Sequence, residues 1–483
     1  IVLGEDWKRL AITSHGDSFA KKFVWQTGEK DEFISLLKTK YLMSPSWRVR
    51  FARFDDSISV DERAEEYFVY VGQDENIVSY NHRLPEARPD SILTETEARI
   101  IAHGLLRDRF QRNPEEFQEV LAEETKKPER KDWRFEFSDT LKYSLEKGEA
   151  RLNVVIRGNS VAHFSKGVKT SEEWNREQRD KRKVPGMISD VCGMIDSLFR
   201  ITAVIIAVIV WSRRKFPVRI FILFLIILGS LKIITFFNNF PMKLAYFKTS
   251  EPFNTQLIQL FFPGMIMELI GAFGNALIAA LAFKWIAGGK TENATQSEKR
   301  IIIIGFSVGA IWMGIQALIT VFEPSISPIW ITYGLYYSET VLPFLGSAYL
   351  FELDIKKIII TIFIFAALHN LTSGWQKRKL MIGSAFVLMF LCTNVSLSFI
   401  SISYWLITGF CQGVVFLFIY FKLFKSNMAI LPVFLSLGLL LGSITGIITY
   451  PHPVGIQISV ISFVLILWFS IYWMKLLRRG TTQ

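Results

Sequence analysis

A succession of apolar stretches, each long enough to cross a bilayer, fills the chain from about residue 195 onward. A spanning helix needs roughly 20 apolar residues to cross about 30 Å of hydrocarbon. This criterion predicts ten spans, at 195–212, 217–237, 256–287, 301–322, 329–351, 356–372, 380–397, 400–424, 429–448 and 457–476. The third is long enough to be tilted or broken near Pro263. Residues 191–483 are therefore predicted to form an all-α polytopic domain of about 9–10 helices in a lipid bilayer.

Charge is divided unevenly along the chain. Only nine of the 44 acidic residues follow residue 190, against 22 of the 55 basic residues. Almost all of these basic residues lie between apolar runs, which is typical of loops that orient a multispan protein and not of a nucleic-acid-binding surface. The positive-inside rule places "SRRKFPVR" (212–219) in the cytoplasm, so the preceding soluble part is predicted to face outward. The basic stretches "ELDIKK" (352–357) and "WQKRKL" (375–380) lie at opposite ends of the sixth predicted span. If that segment crosses the membrane, the positive-inside rule cannot hold for both of them.

The first 190 residues contain two similar units, at about 40–110 and 117–185. Each has an alternating strand that begins at a tryptophan, in "WRVRFARF" (47–54) and "WRFEFSD" (133–139). A two-stranded hairpin follows, with turns at Gly72 and at Gly158–Asn159, where glycine supplies the positive φ of tight turns. A helix then completes each unit. An α+β soluble domain of two tandem strand-hairpin-helix units over 1–190 is the prediction.

The soluble part has no cysteine and no cluster of metal-ligating or nucleophilic residues. His82 and His163 are each isolated on a predicted strand, which favours exposed or hydrogen-bonded histidines. The three cysteines, all after residue 190, form no CxxC pattern. We therefore predict no cofactor and no metal, and a soluble domain that binds a partner or regulates the membrane part.

Glu268 and Glu339 lie within apolar runs, and His369 ends another, in "FIFAALHN" (363–370). A charge in hydrocarbon costs about 2.5–3.5 kcal/mol, so each glutamate should have a partner. If "ELDIKK" is a turn between two helices, Glu339 and His369 each lie roughly 18–20 Å from it and reach one depth. Such a pair could activate water for peptide hydrolysis. Alternatively, it is a hydrogen bond that only fixes helix packing.

Several stretches resemble the CPBP family of CAAX-protease-like intramembrane endopeptidases, specifically the long bacterial members with an extracytoplasmic domain. They are "WRVRFARF", "RLPEARPDSILTETEARIIA", "KDWRFEF" and "GEARLNVVIRGNSVAHFSKGVKTSEEWNR" in the soluble part, "FAALH" from Phe365 to His369, and the Gly-rich region 407–432. The resemblance implies a bacterial plasma-membrane protein. It makes Glu339 and His369 the catalytic candidates, with Asn370, Phe365 and Glu268 as accessory residues.

The chain departs from the family at its motifs. The family has two adjacent glutamates followed by an arginine, whereas Glu339 stands between Ser338 and Thr340. The third motif, His-x-x-x-Asn or Asp, has no counterpart in "LPVFLSLGLLLG". A metal site needs three protein ligands, and one Glu and one His are too few. The sequence therefore favours a catalytically degenerate homologue that binds or scaffolds a membrane-protein partner. The alternatives are an active endopeptidase that uses Glu339 and His369, and a transporter built around Glu268 and Asn275.

Overall fold

In a computed structural model, the chain forms an antiparallel sheet domain and a helical region, which confirms the predicted fold class. The structure describes residues 7–14, 16–44, 46–55, 57, 64–72, 74–143, 145–287, 297–321, 341–393, 402–449 and 453–482. The chain separates into two compact units. The described part of the first, the sheet domain, comprises residues up to Glu177, Asn239–Pro263 and residue 341. The second, the helical unit, contains the other described residues.

Eight strands form one antiparallel sheet in the order β1-β2-β3-β4-β8-β7-β6-β5. They are β1 (Lys8–Ser14), β2 (Ser46–Ala52), β3 (Glu66–Val71), β4 (Ile77–Arg83), β5 (Gln118–Lys126), β6 (Lys131–Ser138), β7 (Glu149–Arg157) and β8 (Ser160–Lys169). The strands lie side by side in chain order within two halves, β1–β4 and β5–β8, whereas the predicted unit at about 40–110 leaves out β1. The two halves join where β4 pairs with β8, with Tyr80 opposite Phe164. This pairing leaves the sheet with two edge strands, whereas two separate sheets would have four.

Three helices cover the face of the sheet that β7 lines with buried apolar residues. They are α1 (Ser18–Thr27), α2 (Lys30–Lys38) and α3 (Glu95–Asp108). Helix α3 begins at Thr94, whose side chain and that of Glu97 form a capping box. Its small residues Ala98 and Ala102 are fully buried in one core with Phe135 on β6. Alternation along β7 explains this one-sided core, because successive side chains of a strand point to opposite faces.

The two hairpin turns differ from each other. Gly158 has φ +57°, as predicted for the turn between β7 and β8. In the turn between β3 and β4 the positive φ of 61° is at Glu75, so the prediction that Gly72 supplies it is wrong. The longer connection, with Gly72 N–H donating to Asn76 O at 2.9 Å, shifts the left-handed residue three positions along the chain.

The segment Asn239–Pro263 packs against the sheet within the sheet domain. It contains the short helix α6 (Phe240–Leu244) and the first turns of α7 (Phe253–Ala287). Arg50 on β2 is buried, pairs with Glu66 on β3 at 2.7 Å, and donates to Ala245 O at 3.0 Å. Asp55 N–H donates to Thr249 O at 2.9 Å. A buried arginine thus ties this segment to the sheet through a charge-assisted contact.

Ten α-helices lie in the described part of the chain from residue 172 onward. They are α4 (Glu172–Ser212), α5 (Val218–Asn238), α6, α7 (Phe253–Ala287), α8 (Glu298–Thr320), α9 (Gly346–Leu371), α10 (Lys379–Thr393), α11 (Ile402–Ile419), α12 (Leu431–Thr449) and α13 (Pro453–Thr482). The predicted limit of the soluble domain at residue 190 falls within α4. Helix α7 continues through Pro263.

Seven of the described helices are long and apolar enough to span a membrane: α4, α5, α7, α8, α11 with its π-helical extension to Phe424, α12 and α13. The predicted span 380–397 is the shorter helix α10. Residues 329–340 of the predicted span 329–351 lie outside the described residues, and residues 346–351 belong to α9. The predicted turn at "ELDIKK" is wrong, because residues 352–357 lie inside the continuous helix α9. Two apolar runs separated by four charges look like two spans, but neighbouring side chains neutralise these charges within one helix.

Helix α9 packs against α5, α10, α12 and α13, and it is the most extensively buried helix of the helical unit. Glycines allow other helices of this unit to approach closely. A Cβ atom at Gly409 would lie 2.9 Å from Leu391 Cα, and one at Gly413 would lie 2.9 Å from Val387 Cα. Gly409 and Gly413 therefore form a GxxxG-type contact between α10 and α11. This accounts for the Gly-rich character of residues 407–432 without reference to chemistry.

Candidate functional site

Four charged side chains from three helices meet inside the helical unit. Lys232 on α5 pairs with Glu268 on α7, and its Nζ lies 3.0 Å from Oε1 of Glu352 on α9. Glu352 also pairs with Lys356, one turn further along α9. We call these four residues the charged network. Its two ammonium and two carboxylate groups balance, as expected for charges among apolar helices.

The charged network lies at a shallow level in the bundle. Lys232 is six residues before the end of α5, and Glu352 is six residues after the start of α9. At 1.5 Å per residue, each lies about 9 Å from its helix end. Those ends are adjacent, since Leu342 N–H donates to Asn238 Oδ1 at 2.9 Å. The network therefore forms a charged layer less than two helical turns from one end of the bundle.

Burial differs sharply among the members of the charged network. The Glu352 side chain is 1% exposed and that of Glu268 is 35% exposed. Lys232, between them, is 15% exposed. Oε2 of Glu352 has no hydrogen-bond partner among the described residues. Glu352 is thus the carboxylate whose charge depends most on its two lysines, because solvent contributes little to it.

The sequence prediction identified one member of this network. It required Glu268 to have a partner, and the structure supplies Lys232. Lys232 was missed although it is the lone charge in the apolar run "FILFLIILGSLKIITFF", a signal that could have been matched to Glu268. Glu352 and Lys356 were assigned to a turn. Asn275, the predicted companion of Glu268, instead donates to Gly271 O of its own helix at 2.8 Å.

His369 lies in the last turn of α9. Its Nδ1 is hydrogen-bonded to the hydroxyl of Tyr420 at 2.9 Å. Tyr420 is fully buried, and its ring also contacts Trp375 with a centroid distance of 6.1 Å. No described carboxylate forms an ion pair with His369. The imidazole therefore has an aromatic hydroxyl as its partner in the described part of the chain.

The two accessory candidates beside His369 have different environments. Phe365 is fully buried, and its ring contacts a group of aromatic rings at centroid distances of 5.1–6.4 Å: Phe386, Phe390, Phe416, Tyr420 and Phe424. Asn370 is exposed. Phe365 thus holds α9 against α10 and α11, which is a packing role.

A strained turn follows His369. Ser373, Gly374 and Trp375 have φ values of 51°, 69° and 68°, three consecutive left-handed residues. Each non-glycine residue in this conformation costs roughly 1–2 kcal/mol. Gly374 N–H donates to His369 O at 2.8 Å, and Trp375 N–H donates to Thr372 Oγ1 at 3.0 Å. These bonds hold the turn, and such strain often occurs beside functional groups.

The structure places Glu268, an accessory candidate, far from the catalytic candidate His369. His369 lies 17 positions after Glu352 in one continuous helix, a distance of about 25 Å along its axis. Lys232 contacts both Glu268 and Glu352, so Glu268 lies near the start of α9, whereas His369 lies near its end. Glu339 and His452 lie outside the described residues. Within the described ranges, no group of three or more His, Cys, Asp or Glu side chains could hold a metal ion.

Comparison with known proteins yields no relative: no family model matches the chain, no curated protein matches its sequence and no solved structure matches its fold.

Proposed function

We propose that this multispan membrane protein acts as a binding or scaffolding subunit of a membrane complex and does not cleave peptides. The observation that carries this proposal is the environment of His369, whose described polar partner is the Tyr420 hydroxyl. In the predicted Glu–His mechanism the carboxylate is the base and the imidazole polarises or donates, and no described carboxylate forms an ion pair with His369. The resemblance to CAAX-protease-like proteins then concerns a shared architecture, and it too is a proposal.

The charged network supports the same proposal. Of the two glutamates predicted within apolar runs, Glu268 is the one that the structure describes, and it is neutralised by Lys232. A carboxylate held by an ammonium group is a poor general base, because the pair stabilises its charged form. The network therefore serves to hold α5, α7 and α9 in register.

The test has two parts. Purified protein in lipid nanodiscs should leave a membrane-embedded peptide substrate uncut, and Glu339→Gln and His369→Ala should change nothing. Gentle solubilisation of native membranes should recover the chain together with a partner protein in fixed proportion. Cleavage that Glu339→Gln abolishes would refute the non-proteolytic part. Recovery of this chain alone would refute the scaffolding part.

A second candidate function, ion-coupled transport, is favoured by one specific observation. Lys232 lies between two carboxylates on two other helices, Glu268 and Glu352, so a helix movement could exchange its partner. Ionisable groups inside membrane helices often mark ion pathways. Flux of ions or protons into vesicles that Glu268→Gln reduces would support this function, and flux that is insensitive to the substitution would exclude it.

We also infer that the sheet domain faces the outside of a bacterial plasma membrane. Arg213, Arg214 and Lys215 form the short loop between α4 and α5, which the positive-inside rule places in the cytoplasm. Segment 239–252, which follows α5, packs in the sheet domain, as two crossings of the bilayer require. Cysteines introduced at Leu141 and at Arg214 should react with a membrane-impermeant maleimide from opposite sides. Labelling of both from one side would refute the orientation.

A further inference from the structure

A cavity of about 200 Å³ lies in the sheet domain and is lined by residues from both of its halves. Four aromatic rings line it: Tyr41, Phe110, Phe117 and Tyr143. The rings of Tyr41 and Tyr143 contact each other at a centroid distance of 5.1 Å. An apolar cavity of about 150 Å³ can hold a benzene ring, so this space suits one ring with a small substituent. We call it the aromatic–basic pocket.

Basic side chains complete the aromatic–basic pocket. Lys166 on β8 reaches into it, where its ammonium lies 5.1 Å from the ring centroids of both Tyr41 and Phe110. Its hydrogen-bond acceptor is a backbone carbonyl, Thr39 O, at 3.3 Å. No described carboxylate forms an ion pair with it. Burial lowers the pKa of Lys166, and the nearby carboxylate of Asp139 only partly opposes this shift.

A second lysine, Lys142, lines the pocket from the loop between β6 and β7, where its side chain is exposed. It too forms no ion pair within the described part of the chain. Lys142 and Lys166 together therefore provide two ammonium groups that form no ion pair with a described side chain, although Asp139 and Glu116 lie close enough to act on them electrostatically. Two cations that line an open cavity beside aromatic rings favour the binding of an anionic ligand.

The third cation of the pocket has a different role. Arg112 donates two hydrogen bonds to Asp139, at 2.9 and 3.0 Å, and one to Glu116 at 2.6 Å. Asp139 is fully buried and also accepts a bond from the Tyr41 hydroxyl. These bonds occupy the guanidinium and neutralise the buried carboxylate. Arg112 and Asp139 thus position Tyr41 and leave the two lysines as the anion-binding groups.

We propose that the aromatic–basic pocket binds a small organic anion, a carboxylate or phosphate carried on a single apolar ring. The anion lies between Lys166 and Lys142, and the ring packs against Tyr41, Tyr143 and Phe117. Charge-assisted hydrogen bonds to the two ammonium groups orient the ligand. The proposal concerns the sheet domain alone and does not depend on whether the helical unit cleaves peptides.

Isothermal titration of the full-length protein in detergent micelles tests the proposal, with benzoate, phenyl phosphate, inorganic phosphate and benzyl alcohol as probes. We expect saturable one-site binding of benzoate or phenyl phosphate, and the tighter of the two identifies the anion. Inorganic phosphate and benzyl alcohol each lack half of the recognised chemistry and should bind at least about tenfold more weakly. The proposal would be overturned if inorganic phosphate or benzyl alcohol bound as tightly as the aromatic anions. It would also be overturned if neither benzoate nor phenyl phosphate showed saturable binding.

Three lysine variants locate the binding. Lys166→Met should weaken the affinity at least about tenfold, because a buried charge-assisted bond is lost. Lys142→Met should weaken it by about threefold, as an exposed contact is screened by solvent. Lys169→Met removes an exposed lysine from the same strand β8 and should have no effect. Because Lys142 is exposed, its variant should fold; an affinity unchanged in Lys142→Met, or equally reduced in Lys169→Met, contradicts the assignment.

Discussion

Replacement of Glu352 by glutamine should destabilise the helical unit far more than the same change at Glu268. Glu352 is 1% exposed and faces two ammonium groups, whereas Glu268 is 35% exposed and faces one. Breaking a buried ion pair leaves an uncompensated charge and costs about 3–5 kcal/mol. Lys232 retains Glu268 in Glu352→Gln, and Lys356 is 24% exposed. We therefore expect the lower end, about 3 kcal/mol.

Glu268→Gln provides the matched comparison. Lys232 keeps its contact with Glu352 in this variant, and the substitution removes a partly exposed charge that hydrocarbon disfavours, so the expected cost is at most about 1 kcal/mol. A third variant, Glu352→Leu with Lys356→Met, removes both charges of the most buried pair. Since replacing a whole buried ion pair by apolar residues is often nearly neutral, its stability should lie within about 1 kcal/mol of the wild type.

Unfolding in mixed micelles with increasing dodecyl sulphate measures these differences, and the free energy is extrapolated linearly to zero denaturant. The expected order is wild type, then the double variant and Glu268→Gln, then Glu352→Gln. If Glu352→Gln and Glu268→Gln differ by less than about 0.5 kcal/mol, burial does not decide the strength of these pairs. The reasoning from the charged network would then be refuted.

Three further predictions concern other parts of the chain. Gly413→Ala should destabilise the protein by about 1–3 kcal/mol, because its Cβ would lie 2.9 Å from Val387 Cα. Gly442→Ala, which has open space around it, should leave the stability unchanged, and dodecyl sulphate unfolding compares the two variants. Ser373→Gly should stabilise the chain by about 1 kcal/mol in the same assay, since glycine relieves a φ of 51° at an exposed position, and a loss of stability would contradict this. Burial lowers the pKa of His163 below its ordinary value of 6.5, so the unfolded chain binds the proton more tightly and stability falls as the pH drops below about 6.5. His163→Gln should reduce this loss between about pH 7 and pH 5, as measured by thermal unfolding at both values.

Much of the sheet domain could be predicted from the sequence. Alternation along β7 and the turn at Gly158 are local signals, and they depend on strand geometry and on the backbone freedom of glycine. The pairing of β4 with β8 could not be predicted, because it joins residues 80 and 164, which no local pattern relates. The aromatic–basic pocket escaped prediction for the same reason, since Tyr41 and Lys166 are far apart in the chain.

The membrane character of the second part also followed from the sequence, because crossing hydrocarbon imposes a length and a polarity that residues show directly. The helix boundaries could not be predicted from the sequence where charged residues interrupt the apolar runs. The charges of "ELDIKK" looked like a turn, yet Glu352 is neutralised in a helix by Lys232, which is 120 positions away. Periodicity cannot reveal such a partner.

The sequence by itself therefore determined which residues leave water, since hydrophobic burial and strand alternation are properties of short segments. Only the tertiary structure decided which polar groups meet. Packing between distant segments brings Lys232 to Glu352, His369 to Tyr420, and Lys166 to the rings of Tyr41 and Phe110. The energy of a charged group depends on its nearest neighbours in space. Hydrophobicity can be read from a short segment of sequence, whereas these neighbours cannot.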